Sequence, residues 1–319
     1  MKYKYTNTKF FTAIIIFYLF LPALTHAAGY DFFVDKSSTQ ATEDGSEQYP
    51  WKTIGAAMLH IQTENLKSKT VFVKKETYPE SINISNNTKL IGESESETIL
   101  DADGHGNAVN FISTKSEIKN FKIENAEATN IIVDRKSKVT ITNCKIEKAG
   151  KYGVEVRDSS ATEKYKFTIK NSEVSECGSQ GLYIAKRKFS VVGNEIFDNK
   201  EEGIDLHQGD KGTVSGNSVH GNSESGIESI LSGVNLTFKN NHIENNHTQG
   251  ITVQIYSTSR KGKVKIQRNT IRGNHSYGIR FANYTHGVGA KKFKIFADKC
   301  VKLSKNTVKN NGEEEISYE

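Results

Sequence analysis

Apolar residues in this chain recur in two columns. A Gly-aliphatic-x-aliphatic unit returns as Gly153-Val154-Glu155-Val156, Gly181-Leu182-Tyr183-Ile184, Gly203-Ile204-Asp205-Leu206, Gly250-Ile251-Thr252-Val253 and Gly278-Ile279-Arg280-Phe281, with a shorter form at Gly226-Ile227-Glu228. With that glycine as position zero, the series runs Ala108, Asn130, Gly153, Gly181, Gly203, Gly226, Gly250, Gly278 and Glu315, at spacings of 22, 23, 28, 22, 23, 24, 28 and 37 residues. Position +1 is Val, Ile or Leu in all nine rungs, from Val109 to Ile316. A second column, seven residues before zero, runs Ile123, Ile146, Val174, Ile196, Val219, Ile243, Ile271 and Val308. Both read as buried.

Asparagine precedes the second column in each rung. It takes the form N-x-x-[IV] at Asn120, Asn143 and Asn171, and N-x-[IV] at Asn194, Asn217, Asn241, Asn269 and Asn306. Stacked Asn side chains hydrogen-bond along a stack and tolerate left-handed turns, and the glycine at zero is expected to turn the next corner in the same way. Short strands alternating with period two, a turn of about 22 residues and no helix between strands predict a parallel β-solenoid. A sandwich or barrel would not keep one period.

Before the repeat, Asp31-Phe32-Phe33-Val34-Asp35 reads as a strand. Pro50 to Ile61 reads as an amphipathic helix with Trp51, Ile54, Ala57, Met58 and Ile61 on one face, suited to covering the open apolar end of a solenoid. Thr70 to Lys74, a turn at Thr77 to Glu80, and Ser81 to Ile84 follow as irregular first rungs. The expected organisation is a signal peptide over 1–27, an N-terminal strand and capping helix over 28–69, and a parallel β-helix over 70–319.

From Trp51 to the last rung the chain resembles the right-handed parallel β-helix proteins of the pectin-lyase-like superfamily. The resemblance implies an all-β, single-stranded right-handed parallel β-helix. It leaves the activity open, because that superfamily contains lyases, hydrolases, epimerases, esterases and non-catalytic surface proteins.

In such a stack, equivalent residues of neighbouring rungs lie ~4.8 Å apart and residues i and i+2 share a face. The outward grid at +2 is then Asn110, Ile132, Glu155, Tyr183, Asp205, Glu228, Thr252 and Arg280. At +4 it is Ile112, Asp134, Arg157, Ala185, His207, Ile230, Gln254 and Ala282. Titratable groups gather in the middle rungs: Tyr183 above Asp205, Glu228 below it, His207 along the same strand, Glu155 and Arg157 to one side and Arg280 to the other. The two 28-residue rungs carry extra loops, Asp158 to Tyr165 and Tyr256 to Lys263, four rungs or ~19 Å apart. The second brings Arg260, Lys261 and Lys263 to the rim, which suits an anionic ligand.

Composition changes this picture in three places. Lys2, Lys4 and Lys9, an apolar run from Phe10 to Leu24 and Thr25-His26-Ala27 form a secretory signal, so a secreted or periplasmic protein with no membrane span after cleavage is expected. The 319-residue chain carries only +6, with three of its lysines inside 1–27, which argues against a nucleic-acid binder. Three cysteines, Cys144, Cys177 and Cys300, are an odd number and give no disulfide scaffold. The lysine-rich stretch from Lys291 to Lys309 reads as a solvated face. His247 and His275 are expected to stack as neighbours.

Proton abstraction next to a uronate carboxylate requires a base, an acid and something to neutralise the carboxylate. His207 fits the base with Asp205 tuning it, and Tyr183 fits the acid. Arg157, Arg280 or a Ca²⁺ held by Asp205 and Glu228 fits the neutraliser, while Glu155, Gln254, Arg260 and Lys261 complete a binding surface. Elimination makes such a protein a polysaccharide lyase and reprotonation from the other face a C5-epimerase. Gly203-Ile204-Asp205-Leu206-His207 resembles the Gly-Phe-Asp-Pro-His segment of mannuronan C5-epimerases, in which a further acid one rung on corresponds to Glu228. Leu206 replaces the proline, and Glu202 stands where that family has a catalytic tyrosine. Two other readings of the groove stand beside this one. One is a non-catalytic glycan-binding or periplasmic accessory solenoid, and the other is a glycoside hydrolase using Asp205 with Glu228 or with Glu155.

Overall fold

The computed structural model describes residues 29–159, 163–259 and 262–319. The signal expected over 1–27 lies outside the described residues, as do Arg260 and Lys261. The chain winds as a right-handed parallel β-solenoid. Ten strands from Ile82–Ile84 to Ile316–Tyr318 stack in one sheet, in chain order and all parallel, with Ile204–Leu206 near its middle. The remaining 19 strands make the other walls. Both apolar columns point inward: from Val109 to Ile279 and from Ile123 to Ile271 every member is buried.

The two asparagine forms divide the work that the sequence suggested they share. In the N-x-x-[IV] rungs Asn120, Asn143 and Asn171 themselves make the left-handed corner, with φ of 58°, 50° and 49°. In the N-x-[IV] rungs the residue before the asparagine turns the corner, for example Gly193 and Gly216. The asparagine is thereby freed to point inward and build a ladder: Asn194, Asn217, Asn241 and Asn269 each donate from Nδ2 to Oδ1 of the next member at 2.9–3.0 Å, ending on Asn306. A second ladder, Asn199, Asn222, Asn246, Asn274 and Asn311, runs four residues before zero with the same bonds. Buried amides satisfied in this way lock the register of successive rungs.

The glycines at zero do not take a left-handed conformation, contrary to expectation; none of the six has a positive φ. They are required by close approach. A Cβ on Gly203 would stand 2.7 Å from Val219 Cγ1 and 2.8 Å from both Asn222 Nδ2 and the Gly226 carbonyl oxygen, and the other five meet the same kind of wall.

Near the N-terminus the helix spans Ile54–Thr63, starting later than Trp51 because the Thr53 side chain accepts from Ala56 N. Trp51 instead bridges to Val34. Glu80 accepts from the amides of Ile54 and Gly55 at 2.8 and 2.7 Å, an anion on the positive helix end. Ile54, Ala57, Met58 and Ile61 are buried in the core. Glu76–Pro79, expected as part of a turn, is a strand paired with Thr98–Asp101. The long last spacing holds a helix, Ala290–Cys300, inside the stretch expected to be solvated. Its lysines are exposed, but Phe293, Ala297 and Cys300, at i, i+4 and i+7, are buried. All three cysteines are free and buried, and burial pushes the Cys144 and Cys177 thiols up to about 12.

Candidate functional site

The register of the ten-stranded sheet matches the grid. Glu155 pairs with Tyr183, Tyr183 with Asp205, Asp205 with Glu228, Glu228 with Thr252 and Thr252 with Arg280. His207 lies one residue past its strand, where its amide still bonds to the Ile184 carbonyl at 3.0 Å. Position is thus set by the buried +1 and +3 residues, Ile204 and Leu206, which fix the strand's facing.

Asp205 and His207 meet at 3.2 Å, Oδ2 to Nε2. That bond, the largest influence, raises the His207 pKa, while desolvation opposes it. The Tyr183 ring lies 4.8 Å from the imidazole, centroid to centroid, and its other neighbour is Tyr152 at 5.1 Å, under Lys151. Burial and then the charge of Asp205 raise the phenol, so it stays protonated. Asp205 occupies the outward face as expected but is only 6% exposed.

Beside this triad sits an acidic group larger than the sequence suggested. Burial, with the charge of Asp205 next, lifts Glu228 to about 7, and its side chain bonds to Gln254. Glu202 is lifted to about 8 by burial, by a side-chain hydrogen bond with Glu224 and by the charge of Glu228, and its Oε2 accepts from Gln180 Nε2 at 2.9 Å. Both carboxyls can therefore hold a proton near neutral pH and donate a hydrogen bond. Glu202, Glu224 and Gln180 lie in the columns just before zero, which continue the same lattice; reading those columns as a surface would have found them.

The basic residues are less available than the grid implied. Arg157 Nε holds Glu155 Oε1 at 2.9 Å, and Arg280 turns to Glu319 at 3.2 Å. Gln254 is engaged from two sides, since Tyr256 Oη donates to its Oε1 at 3.0 Å. Tyr256 in turn stacks on Tyr284 at 4.9 Å, and the pair is exposed, 52% and 43%. His247 and His275 meet at 4.8 Å, as expected. Among the described residues no group of three or more His, Cys, Asp or Glu is placed to hold a metal ion, so Asp205 and Glu228 form at most two ligands. No helix among them is long and apolar enough to cross a membrane.

Residues 107–260 match the family model of the right-handed β-helix region. No curated protein sequence matches the chain. Among solved structures, it is similar to an alginate lyase from Paenibacillus sp. str. FPU-7 (TM-score 0.55, 13% identity, 79% of this chain and 97% of that one). A pectate lyase matches at TM-score 0.56 and 13% identity over 90% of this chain and 81% of that one. The A-module of an Azotobacter vinelandii mannuronan C-5 epimerase matches at 0.50 and 15% identity, over 82% and 92%. At these identities the likeness is one of fold.

Proposed function

We propose that this right-handed parallel β-helix protein acts on an acidic polysaccharide by removing the proton next to a uronate carboxylate, as a lyase or a C5-epimerase. The observation that carries the reading is the contact of Tyr183, His207 and Asp205 on adjacent strands, with Glu228 opposite Asp205.

In this reading His207 is the base. Its bond to Asp205 stabilises the imidazolium formed when it takes the proton, and a base with a raised pKa has more driving force to do so. Tyr183, kept protonated, serves the leaving oxygen or the opposite face of the sugar. Arg157 and Arg280 are held by acids, so we assign neutralisation of the substrate carboxylate to a protonated Glu228, with Glu202 behind it. A hydrogen bond from a neutral carboxyl to a carboxylate shares a proton and disperses charge without a guanidinium. A Ca²⁺ would do the same work through Asp205 and Glu228, with the other ligands coming from substrate and water. The exposed Tyr256–Tyr284 pair offers an apolar surface to a pyranose ring in the same groove. Export, read from residues 1–27, fits a polymeric substrate outside the cell.

The test is to offer alginate, pectate and other polyuronates and follow ultraviolet absorbance from unsaturated ends, with proton NMR for epimerisation. Turnover that His207→Ala abolishes supports the reading. Full activity in His207→Ala would remove His207 as the base, and binding without turnover across the panel would make the protein a glycan-binding solenoid.

A further inference from the structure

Away from the triad, the strands Lys115–Glu124 and Lys138–Glu147 lie side by side in register and place two pairs of lysines directly opposite each other. Like charges in such positions are destabilising unless something neutralises them. At Lys122 and Lys145 the protein supplies the remedy itself: Glu124 and Glu147 hold Lys122 at 2.8 and 3.1 Å, and Glu147 and Glu173 hold Lys145 at 3.3 and 3.2 Å. At Lys115 and Lys138 it does not. Among the described residues neither has a carboxylate within ion-pair distance, and Glu117, two residues along, stands opposite Lys89 and Thr140.

Two further lysines join that unpaired couple. Lys136 and Lys164, likewise without an ion-pair partner among the described residues, line with Lys115 and Lys138 one cavity of about 320 Å³, walled by Thr114 and Tyr165. The loops that bring them are fastened from below. The Arg187 guanidinium, fully buried, donates to the carbonyls of Asp134 and Ser137 at 3.1 and 2.9 Å, and of Arg157 and Tyr165 at 2.6 and 2.8 Å. These four carbonyls bracket Lys136 and Lys164. One buried cation thus anchors the backbone next to Lys136 and Lys164, its own charge met by Asp134, Asp210 and Asp158, and the positive potential of the cavity comes from its four ammonium groups. A fold that neutralises one lysine pair with three glutamates and, among its described residues, sets no carboxylate against the next one has left room for an external anion.

We propose that this cavity binds carboxylate or sulfate groups of an anionic glycan chain. It belongs to the same side of the solenoid as the triad, at the corner that follows the ten-stranded sheet, and Lys138 is three rungs or ~14 Å along the axis from Asp205. The glycan as carrier of the anion rests on the proposed function; the anion site rests on the lysines. The chain would run along the axis, one part at His207 and an anionic group farther along on Lys115 and Lys138.

The test compares wild type with Lys115→Gln/Lys138→Gln and with Lys115→Arg/Lys138→Arg. Affinity electrophoresis against alginate, pectate, a sulfated polysaccharide and a neutral glucan is paired with thermal unfolding in low-millimolar inorganic sulfate. The Gln pair is expected to bind its anionic polymers about tenfold more weakly at low salt, with less difference at high salt. It should also lose the sulfate-dependent rise in unfolding temperature, and the Arg pair should keep both. Whether alginate or the sulfated polymer is retained identifies the anion. If the Gln pair binds every anionic polymer as wild type does and responds equally to sulfate, the site is wrong, and turnover of a polyuronate by both proteins would leave the proposed function standing. A lysine-dependent sulfate response in a protein that neither binds nor turns over any polyuronate would overturn the proposed function and keep the anion site.

Discussion

The carboxylate of Asp205 and the imidazole of His207, two residues apart on one outward strand edge, are joined at 3.2 Å although Asp205 is almost wholly covered. The bond makes the histidine a stronger base and gives the pair a measurable signature.

Asp205→Asn should bring the His207 pKa down toward its ordinary value, since the largest cause of its elevation is removed. Proton NMR titration of the imidazole reads this directly. In an active protein the same change should lower kcat by roughly 100-fold or more, the usual worth of a positioned general base.

Stability should fall as pH rises through neutrality. Glu202 and Glu228 have folded pKa values of about 8 and about 7 against an unfolded value of 4.5, so the folded chain holds protons that the unfolded chain releases. Their contribution is complete below pH 4.5 and is lost as pH climbs to about 8. The raised His207 acts in the same direction. Unfolding midpoints measured from pH 5 to pH 9 should therefore decline, and Glu202→Gln should flatten the slope. A midpoint that climbs over this range would contradict the shifts.

Gly203→Ala should destabilise the fold by about 1–3 kcal/mol through overpacking, because its Cβ meets Val219, Asn222 and the Gly226 carbonyl at 2.7–2.8 Å. Gly216→Ala has open space around the Cβ but a φ of 66°, so its cost comes from backbone strain alone. Urea unfolding of the two variants compares the mechanisms, with the larger loss expected at Gly203.

Asn222→Ala should cost more than ~2 kcal/mol, since it strips the acceptor from Asn199 N and Nδ2 and removes its own bond to Asn246 inside the core. Urea unfolding measures the loss. A cost near zero would mean that the ladder contributes register without stability.

Much of the lattice was legible because a solenoid repeats one local rule: +1 must be apolar in every rung, so counting residues gives the strand register, and the register gives neighbours such as Tyr183, Asp205 and Glu228. The helix Ala290–Cys300 was legible too, in the spacing of Phe293, Ala297 and Cys300, but the density of lysines around them hid it. The glycines at zero could not be read correctly, since a sequence does not distinguish a glycine needed for φ from one needed for space.

By itself, then, the sequence determined the winding, the buried columns and which side chains share the outward face, because those follow from periodicity and burial. Tertiary structure alone decided which of those side chains touch. Arg157 turned back to Glu155 within the grid and Arg280 left it for Glu319, Glu202 and Glu224 came together within reach of the Glu228 charge, and Arg187 reached across rungs to four carbonyls. Long side chains choose partners by distance and desolvation, and neither quantity exists until the rungs are stacked.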